Sequence, residues 1–238
     1  MEIKTARICE QGGRDHNDDT VSILQTENTY VFVGDGLGGY AGGQQASQAA
    51  ADALRELASR GNLLAEENME QAAAAADRAV RDVQEKTGGD MKTTLVFLAV
   101  EDGAARWMHV GDSRLYHFRD GKIQCQTMDH SVSQLAVLMG DIELRDIRFH
   151  EDRNRILRAL GAVNARADIS TALPLQDGDA FLLCTDGFWE FVYEEEMEQT
   201  LAQTRDPEVW LEEMLTLLRS RIPEGTDNYT AAAVICQS

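Results

Sequence analysis

The sequence predicts an α+β layered fold built mainly from antiparallel strands. Three observations lead there: short apolar runs bounded by turn signals, two consecutive amphipathic helices set among them, and Asp-Gly pairs spaced as tight turns. In chain order, Val31 to Val33, Leu95 to Val100, Trp107 to Val110, Leu115 to Phe118, Ala180 to Cys184 and Ala231 to Cys236 read as strands. Several are apolar at every position, as strands buried on both faces are. Ala46, Ala50, Ala53, Leu54 and Leu57 keep helical spacing, and so do Met69, Ala72, Ala73, Ala76, Val80 and Val83. Asp120-Gly121, between Leu115 to Phe118 and Lys122-Ile123, reads as a hairpin turn, because Gly accepts the positive φ such turns require. Asp102-Gly103 and Asp177-Gly178 carry the same turn signal. The stretch 131–161 is polar and irregular, broken at Met139-Gly140-Asp141, and suits either a flap beside a site or a plain surface excursion. Asp206-Pro207-Glu208 supplies an N-cap, a first-turn Pro and an early acid for a helix carrying Val209, Leu211, Met214, Leu215 and Leu218. Strands, two helices, more strands, a mixed helical stretch, a strand, helices and a last strand depart from regular βαβ winding.

The chain has 238 residues, 43% of them hydrophobic, enough for one domain spanning 1–238 with a substantial core. It carries no low-complexity tract, no Ser/Gly-rich linker and no solenoid repeat. Met1 to Ala6 lack the basic start of a signal peptide, and no run approaches the roughly twenty apolar residues of a membrane span, so a cytoplasmic protein is expected. Cys9, Cys125, Cys184 and Cys236 lack Cys-x-x-Cys spacing, which suits reduced core thiols. A net charge of −19 would repel nucleic acid and anionic membranes. The same charge is compatible with divalent cations and with substrates docked through basic segments.

The chemistry concentrates where apolar runs stop at acids. Val31-Phe32-Val33-Gly34-Asp35-Gly36 and Phe181-Leu182-Leu183-Cys184-Thr185-Asp186-Gly187 both end in Asp-Gly, and Asp227-Asn228 stands before the last apolar run. Strand ends can bring distant carboxylates into one cleft, where repulsion is costly unless cations join them. With 41 acidic residues in the chain, Asp35 and Asp186 taken singly fit a turn as well as a ligand. Arg14-Asp15-His16-Asn17-Asp18-Asp19 sets a guanidinium beside acids, a fork that fits phosphate oxygens or a simple surface ion pair. Gly34-Asp35-Gly36-Leu37-Gly38-Gly39 allows backbone carbonyls to approach an ion, or merely connects two elements. Val110-Gly111-Asp112-Ser113-Arg114 ends a further apolar run with an acid.

Taken in order, these segments resemble the type 2C family of metal-dependent Ser/Thr protein phosphatases, in its short bacterial form. Arg14-x-x-Asn17-Asp18-Asp19 is similar to the family's Arg-x-x-Asn-Glu-Asp, and the Asp35 run to its Asp-Gly-Met-Gly-Gly loop. Thr93-Thr94, Val110 to Arg114, Asp129-His130-Ser131, Asn154 to Gly161, Thr185 to Trp189 and Asp227-Asn228-Tyr229-Thr230 follow in the family's order. The resemblance implies a four-layer α/β/β/α sandwich with two central antiparallel sheets and a binuclear Mn²⁺ or Mg²⁺ centre at one edge. By position, Asp35 would bridge both ions, the Gly36 carbonyl would bind one, and Asp186 and Asp227 the other. Asp112 matches the acid that holds a third ion together with Asp186. Asp19, and with it Asp18, would act through metal-bound water, and Arg14 would grip the substrate phosphate. The implied reaction is hydrolysis of phosphoserine and phosphothreonine in phosphoprotein substrates, opposing a Ser/Thr kinase. Hard oxygen ligands without Cys or His agree with Mg²⁺ or Mn²⁺. Leu37 stands where eukaryotic relatives carry a proposed general-acid His, leaving His130 as a substitute or as a structural residue. Lys92 replaces the usual Gly before Thr-Thr, and Asp18 the commoner Glu. The alternative is a catalytically silent binding module of the same fold.

Overall fold

The protein is described as a computed structural model covering residues 1–38 and 42–237; Gly39, which closes the glycine-rich run, lies outside the described residues. The chain opens with β1 (Glu2–Glu10), β2 (Thr20–Gln25), β3 (Thr29–Gly34) and β4 (Gly36–Leu37), followed by α1 (Gly42–Ala58) and α2 (Glu66–Thr87). Next come β5 (Lys92–Thr93), β6 (Leu95–Glu101), β7 (Ala104–Val110), β8 (Arg114–Arg119), β9 (Lys122–Gln126), α3 (Val132–Met139) and a 3-10 turn (Leu144–Phe149). The last third holds β10 (Asp168–Ile169), β11 (Leu173–Pro174), β12 (Ala180–Cys184), α4 (Asp186–Trp189), α5 (Glu194–Leu201), α6 (Pro207–Arg219) and β13 (Tyr229–Gln237).

Two antiparallel sheets form the centre, one ordered β1-β13-β12-β8-β9 and the other β10-β7-β6-β3-β2, with β11 also on β7. Strand periodicity then assigns every side chain to a layer. Val31 and Val33 of β3 meet Phe181 and Leu183 of β12 and Ala232 and Val234 of β13 between the sheets. The intervening Tyr30 and Phe32 face α1 and α2, packing with Leu54 and Met69. On the opposite outer face, Leu182, Tyr116 and Phe118 pack with Trp210, Leu211 and Met214 of α6. The result is the four-layer α/β/β/α sandwich that the family resemblance implies.

Local signals hold where they are strongest. Asp102-Gly103 and Asp120-Gly121 both take positive φ and close the β6–β7 and β8–β9 hairpins. Asp206 caps α6 by accepting from the Glu208 amide at 2.9 Å, with Pro207 in the first turn. β1 and β2 fall outside the runs read as strands, because each is the outer strand of its sheet and is only partly buried, so it needs no continuous apolar run. The expectation of core thiols is corrected in part: Cys184 and Cys236 are buried, Cys125 is half-buried and Cys9 is exposed near the outer end of β1.

Beneath the edge that carries the acids lies a buried ionic scaffold. Arg114 is 1% exposed and makes a bidentate pair with Asp129 at 2.9 and 2.8 Å. Its guanidinium also stacks 3.5 Å from the Trp189 ring and reaches the Tyr116 hydroxyl at 3.1 Å. Removing Asp129 leaves that buried guanidinium with only the more distant Glu194 carboxylate, 3.6 Å away. Urea denaturation of Asp129→Ala should therefore show a loss of about 3–5 kcal/mol of stability. A loss below about 1 kcal/mol would mean that water reaches Arg114.

Candidate metal centre

Antiparallel pairing decides which strand ends become neighbours. β2 begins where β3 ends, with Thr20 opposite Gly34, and β13 begins where β12 ends, with Ala231 opposite Cys184. Asp19, Asp35, Asp186 and Asp227 flank those ends, and Asp112 follows β7 through Gly111. Together they meet at one edge of the sandwich. There, a cleft of about 420 Å³ is lined by Arg14, Asp15, His16, Asp18, Asp35, Gly36, Leu37, Gly38, Asp112, Asn154, Ile156, Asp186, Asp227 and Asn228. Asp19 sits behind this lining, 6% exposed.

Each acid is held by bonds that reach far along the chain. The Asp35 amide donates to Thr94 Oγ1 at 2.8 Å, while its carbonyl accepts from the Thr94 amide at 2.8 Å and from Thr93 Oγ1 at 2.9 Å. Asp19 accepts from Thr185 Oγ1 at 2.9 Å, and Thr185 Oγ1 in turn accepts from the Thr230 amide at 3.1 Å. Asn228 clamps the Arg14 loop: its Nδ2 donates to the carbonyls of Gln11 and His16 at 2.7 and 2.9 Å, and its Oδ1 accepts from the Asp18 amide at 2.8 Å. Two close approaches demand glycine. A Cβ on Gly36 would lie 2.1 Å from the Gly43 carbonyl oxygen, and one on Gly187 2.0 Å from that of Asn228.

The acids carry little local countercharge. Arg14 Nη2 lies 2.6 Å from Asp227 Oδ2 and is the guanidinium among the cleft-lining residues. Burial, then the charges of Asp19, Asp186, Asp112 and Asp227, drives the Asp35 carboxyl well above its ordinary range. Asp186 is driven up in the same way, by burial first and then by Asp112, Glu190 and Asp227. Asp19 is pushed up to about 7, with burial as the main cause, and Asp112 also to about 7, by burial and then by Asp129. Asp112 Oδ1 is buried and has no hydrogen-bond partner. An orphaned buried oxygen among facing carboxylates is what a hard divalent cation satisfies, so the residues present fit Mn²⁺ or Mg²⁺.

Of the residues picked from sequence, Arg14, Asp18, Asp35, Gly36, Asp112, Asp186 and Asp227 share the cleft, and Asp19 backs it. Asp18 is also structural: its Oδ1 accepts from the Gln44 amide in the first turn of α1, at 3.0 Å. His130 takes the structural role. The Gly111 amide donates to its Nδ1 at 3.1 Å, so Nε2 keeps the proton and faces Asp168 Oδ2 at 3.2 Å. Its ring stacks on His109 at 4.6 Å. Lys92 points its ammonium to Asp90, at 2.6 Å. Sequence reading passed over His16 and Asn228, which look like loop polars until pairing seats one loop on the other. Manganese added to chelator-treated protein should raise its melting temperature by several degrees. Asp35→Asn should raise the melting temperature of the chelated protein, by relieving repulsion, while reducing that metal-induced rise; an unchanged rise would remove Asp35 from the ligand set.

Comparison with known proteins agrees with this geometry. Residues 9–221 match the family model described as Protein phosphatase 2C. The chain is 31% identical over 237 residues to the serine/threonine phosphatase stp of Listeria monocytogenes serotype 4b, covering 93% of this chain and 90% of that one. It superposes on the crystal structure of the Mycobacterium tuberculosis serine/threonine phosphatase PstP/Ppp with a TM-score of 0.85 at 28% identity, covering 99% of each. A structure of the PstP catalytic domain in complex with 2 manganese ions gives a TM-score of 0.84 at 27% identity, again covering 99% of each chain. The chain therefore belongs to the protein phosphatase 2C family, the metal-dependent serine/threonine protein phosphatases.

Proposed function

We propose that this cleft hydrolyses phosphoserine and phosphothreonine in proteins, with Asp35, the Gly36 carbonyl, Asp186 and Asp227 holding two Mn²⁺ or Mg²⁺ ions and Asp112 with Asp186 a third. The observation that carries the reading is the convergence of six lining carboxylates, one with a bare buried oxygen, beside a single guanidinium, with Asp19 buried behind them. Ions bound there supply Lewis-acid charge for the phosphoryl oxygens and lower the pKa of a water poised for in-line attack. Arg14, now 2.6 Å from Asp227, would grip the phosphate, its guanidinium forking onto two phosphoryl oxygens. Asp19, fixed by Thr185 Oγ1, orients the attacking water. His16 is the histidine lining the cleft, on a backbone pinned by Asn228, and it protonates the departing serine or threonine oxygen that Leu37 has no means to serve. The segment 131–161 contributes Asn154 and Ile156 to the rim and acts as a flap over a single domain, 1–238. Among the described residues no helix is long and apolar enough to cross a membrane, in keeping with a cytoplasmic enzyme that opposes a Ser/Thr kinase. The retained acids speak against a silent binding module, which has no use for so costly a charge cluster.

Purified protein with manganese should release phosphate from a phosphothreonine peptide, and chelator or Asp186→Asn should remove at least about 99% of that activity. Turnover surviving both would overturn the ligand assignment. Arg14→Ala should raise KM more than it lowers kcat. His16→Gln should lower kcat on phosphothreonine about 10²-fold, and lower it far less on p-nitrophenyl phosphate, whose phenolate departs without a proton. Equal losses on both substrates would take His16 out of the protonation step.

A further inference from the structure

Helix α3 is built inside out. Its buried residues are Ser133 and Gln134, while Leu135, Leu138 and Met139 are 43%, 64% and 75% exposed. Among the described residues, most large apolar side chains left in solvent belong to the surrounding stretch, with Met128, Phe149 and Leu157 joining those three. A polar inner face is possible because Ser131 caps the helix, accepting from the Gln134 amide at 3.2 Å and lying 3.0 Å from Ser133 Oγ. Val137 alone of its apolar residues packs against the main core, so burial of apolar surface leaves the exposed Leu135, Leu138 and Met139 unexplained; contact with something else explains them.

The exposed residues enclose a pocket. Met128, Leu135, Leu138 and Leu157 wall a cavity of about 160 Å³, with Gln134 among its lining and Arg158 and Asp168 also against it. Gln134 is 4% exposed, and its Oε1 has no hydrogen-bond partner. A buried carbonyl oxygen left without a donor costs about 1–3 kcal/mol, so an N–H supplied from outside would be well rewarded. The volume is below the roughly 300–1,000 Å³ of small-molecule sites and suits one large apolar side chain.

We propose that this pocket is a docking site for the phosphoprotein substrate, taking a Leu, Met or Phe side chain of an extended segment whose backbone N–H donates to Gln134 Oε1. The inference rests on the phosphatase reading of the cleft and names what holds the substrate outside it. Continuity singles out this occupant. Ile156 lines the cleft and the next residue, Leu157, lines the pocket, on a rib tied down by the Leu157 amide to the His130 carbonyl at 2.7 Å and bridged from Ile156 to Ser131. One extended peptide, at about 3.3–3.6 Å per residue, reaches both sites with the apolar residue about two to six positions from the phosphoresidue. A second copy of the chain is disfavoured, since two bodies of net charge −19 repel.

The test compares p-nitrophenyl phosphate with phosphothreonine peptides that carry or lack a Leu about two to six residues from the phosphothreonine, using the full chain with manganese. Leu138→Asp, a surface change, should raise KM about tenfold for the Leu-bearing peptides alone, leaving the aryl phosphate within about twofold. Gln134→Leu should weaken the same peptides about three- to tenfold by removing the acceptor. Wild-type protein that favours no Leu-bearing peptide, or variants that alter no peptide KM while turning over the aryl phosphate normally, would overturn docking and leave the cleft reading standing. Wild-type protein inactive on every substrate would overturn the cleft reading itself. Sedimentation in which Leu138→Asp dissociates a dimer with peptide KM unchanged would assign the face to a second copy and end the proposal.

Discussion

Carboxylates gathered at one sheet edge push against one another, and the rest of the molecule is organised to hold them there. Asp35 and Asp186 are raised far from their ordinary ionisation by burial and by mutual charge, with Arg14 on Asp227 as the cation in the cleft lining. Left to themselves, such groups would splay or stay protonated. They stay together because each is attached to the end of a strand whose register is set by a dry interface between two sheets. Val31, Val33, Phe181, Leu183, Ala232 and Val234 form that interface, and a one-residue slip would turn each of them outward. Burying the sandwich interior therefore supplies the free energy that holds the acids in place, and cations complete the balance.

Precision comes from a second layer of bonds between segments far apart in sequence. Thr93 and Thr94 fix both backbone polar groups of Asp35, Thr185 joins Asp19 to the start of β13, and Asn228 fastens the Arg14 loop through three hydrogen bonds. The motif Asp129-His130-Ser131 belongs to this layer and not to the chemistry. Asp129 grips Arg114, His130 accepts from the Gly111 amide beside Asp112, and Ser131 caps α3. Trp189 links the two levels, since its ring covers Arg114 and its indole N–H donates to the Asp112 carbonyl at 3.0 Å.

The same anchoring frees the segment 131–161 to show an apolar face. Arg148, 7% exposed, ties its 3-10 turn to the Trp189 carbonyl at 3.1 Å and to Glu194 Oε2 at 2.5 Å. Arg153 holds Glu190 at 2.7 Å, close to the acids of the cleft. Ile147 is buried in the main core and Val137 and Ile142 pack against it, while the guanidinium and polar anchors complete the inner face of this part of the chain. Its leucines are left available to a partner while the cleft lies on the other side of the Ile156–Leu157 rib.

The sequence by itself determined the layered α+β class, the hairpins at Asp102-Gly103 and Asp120-Gly121, the capped helix after Asp206 and the acids at Asp35, Asp112, Asp186 and Asp227. Those are short-range features, encoded by turn chemistry, apolar periodicity and residue order. It passed over β1 and β2, whose outer positions in their sheets need no apolar run, and it read Cys9 with the other cysteines as a core thiol from their spacing alone, which says nothing of exposure. Only the tertiary structure decided that His16 faces the cleft while His130 stands behind it, that Asn228 is a clamp, and that Gln134 is buried without a donor. Those outcomes depend on which strand ends and loops are brought against each other across more than a hundred residues, and no local pattern encodes a partner that distant.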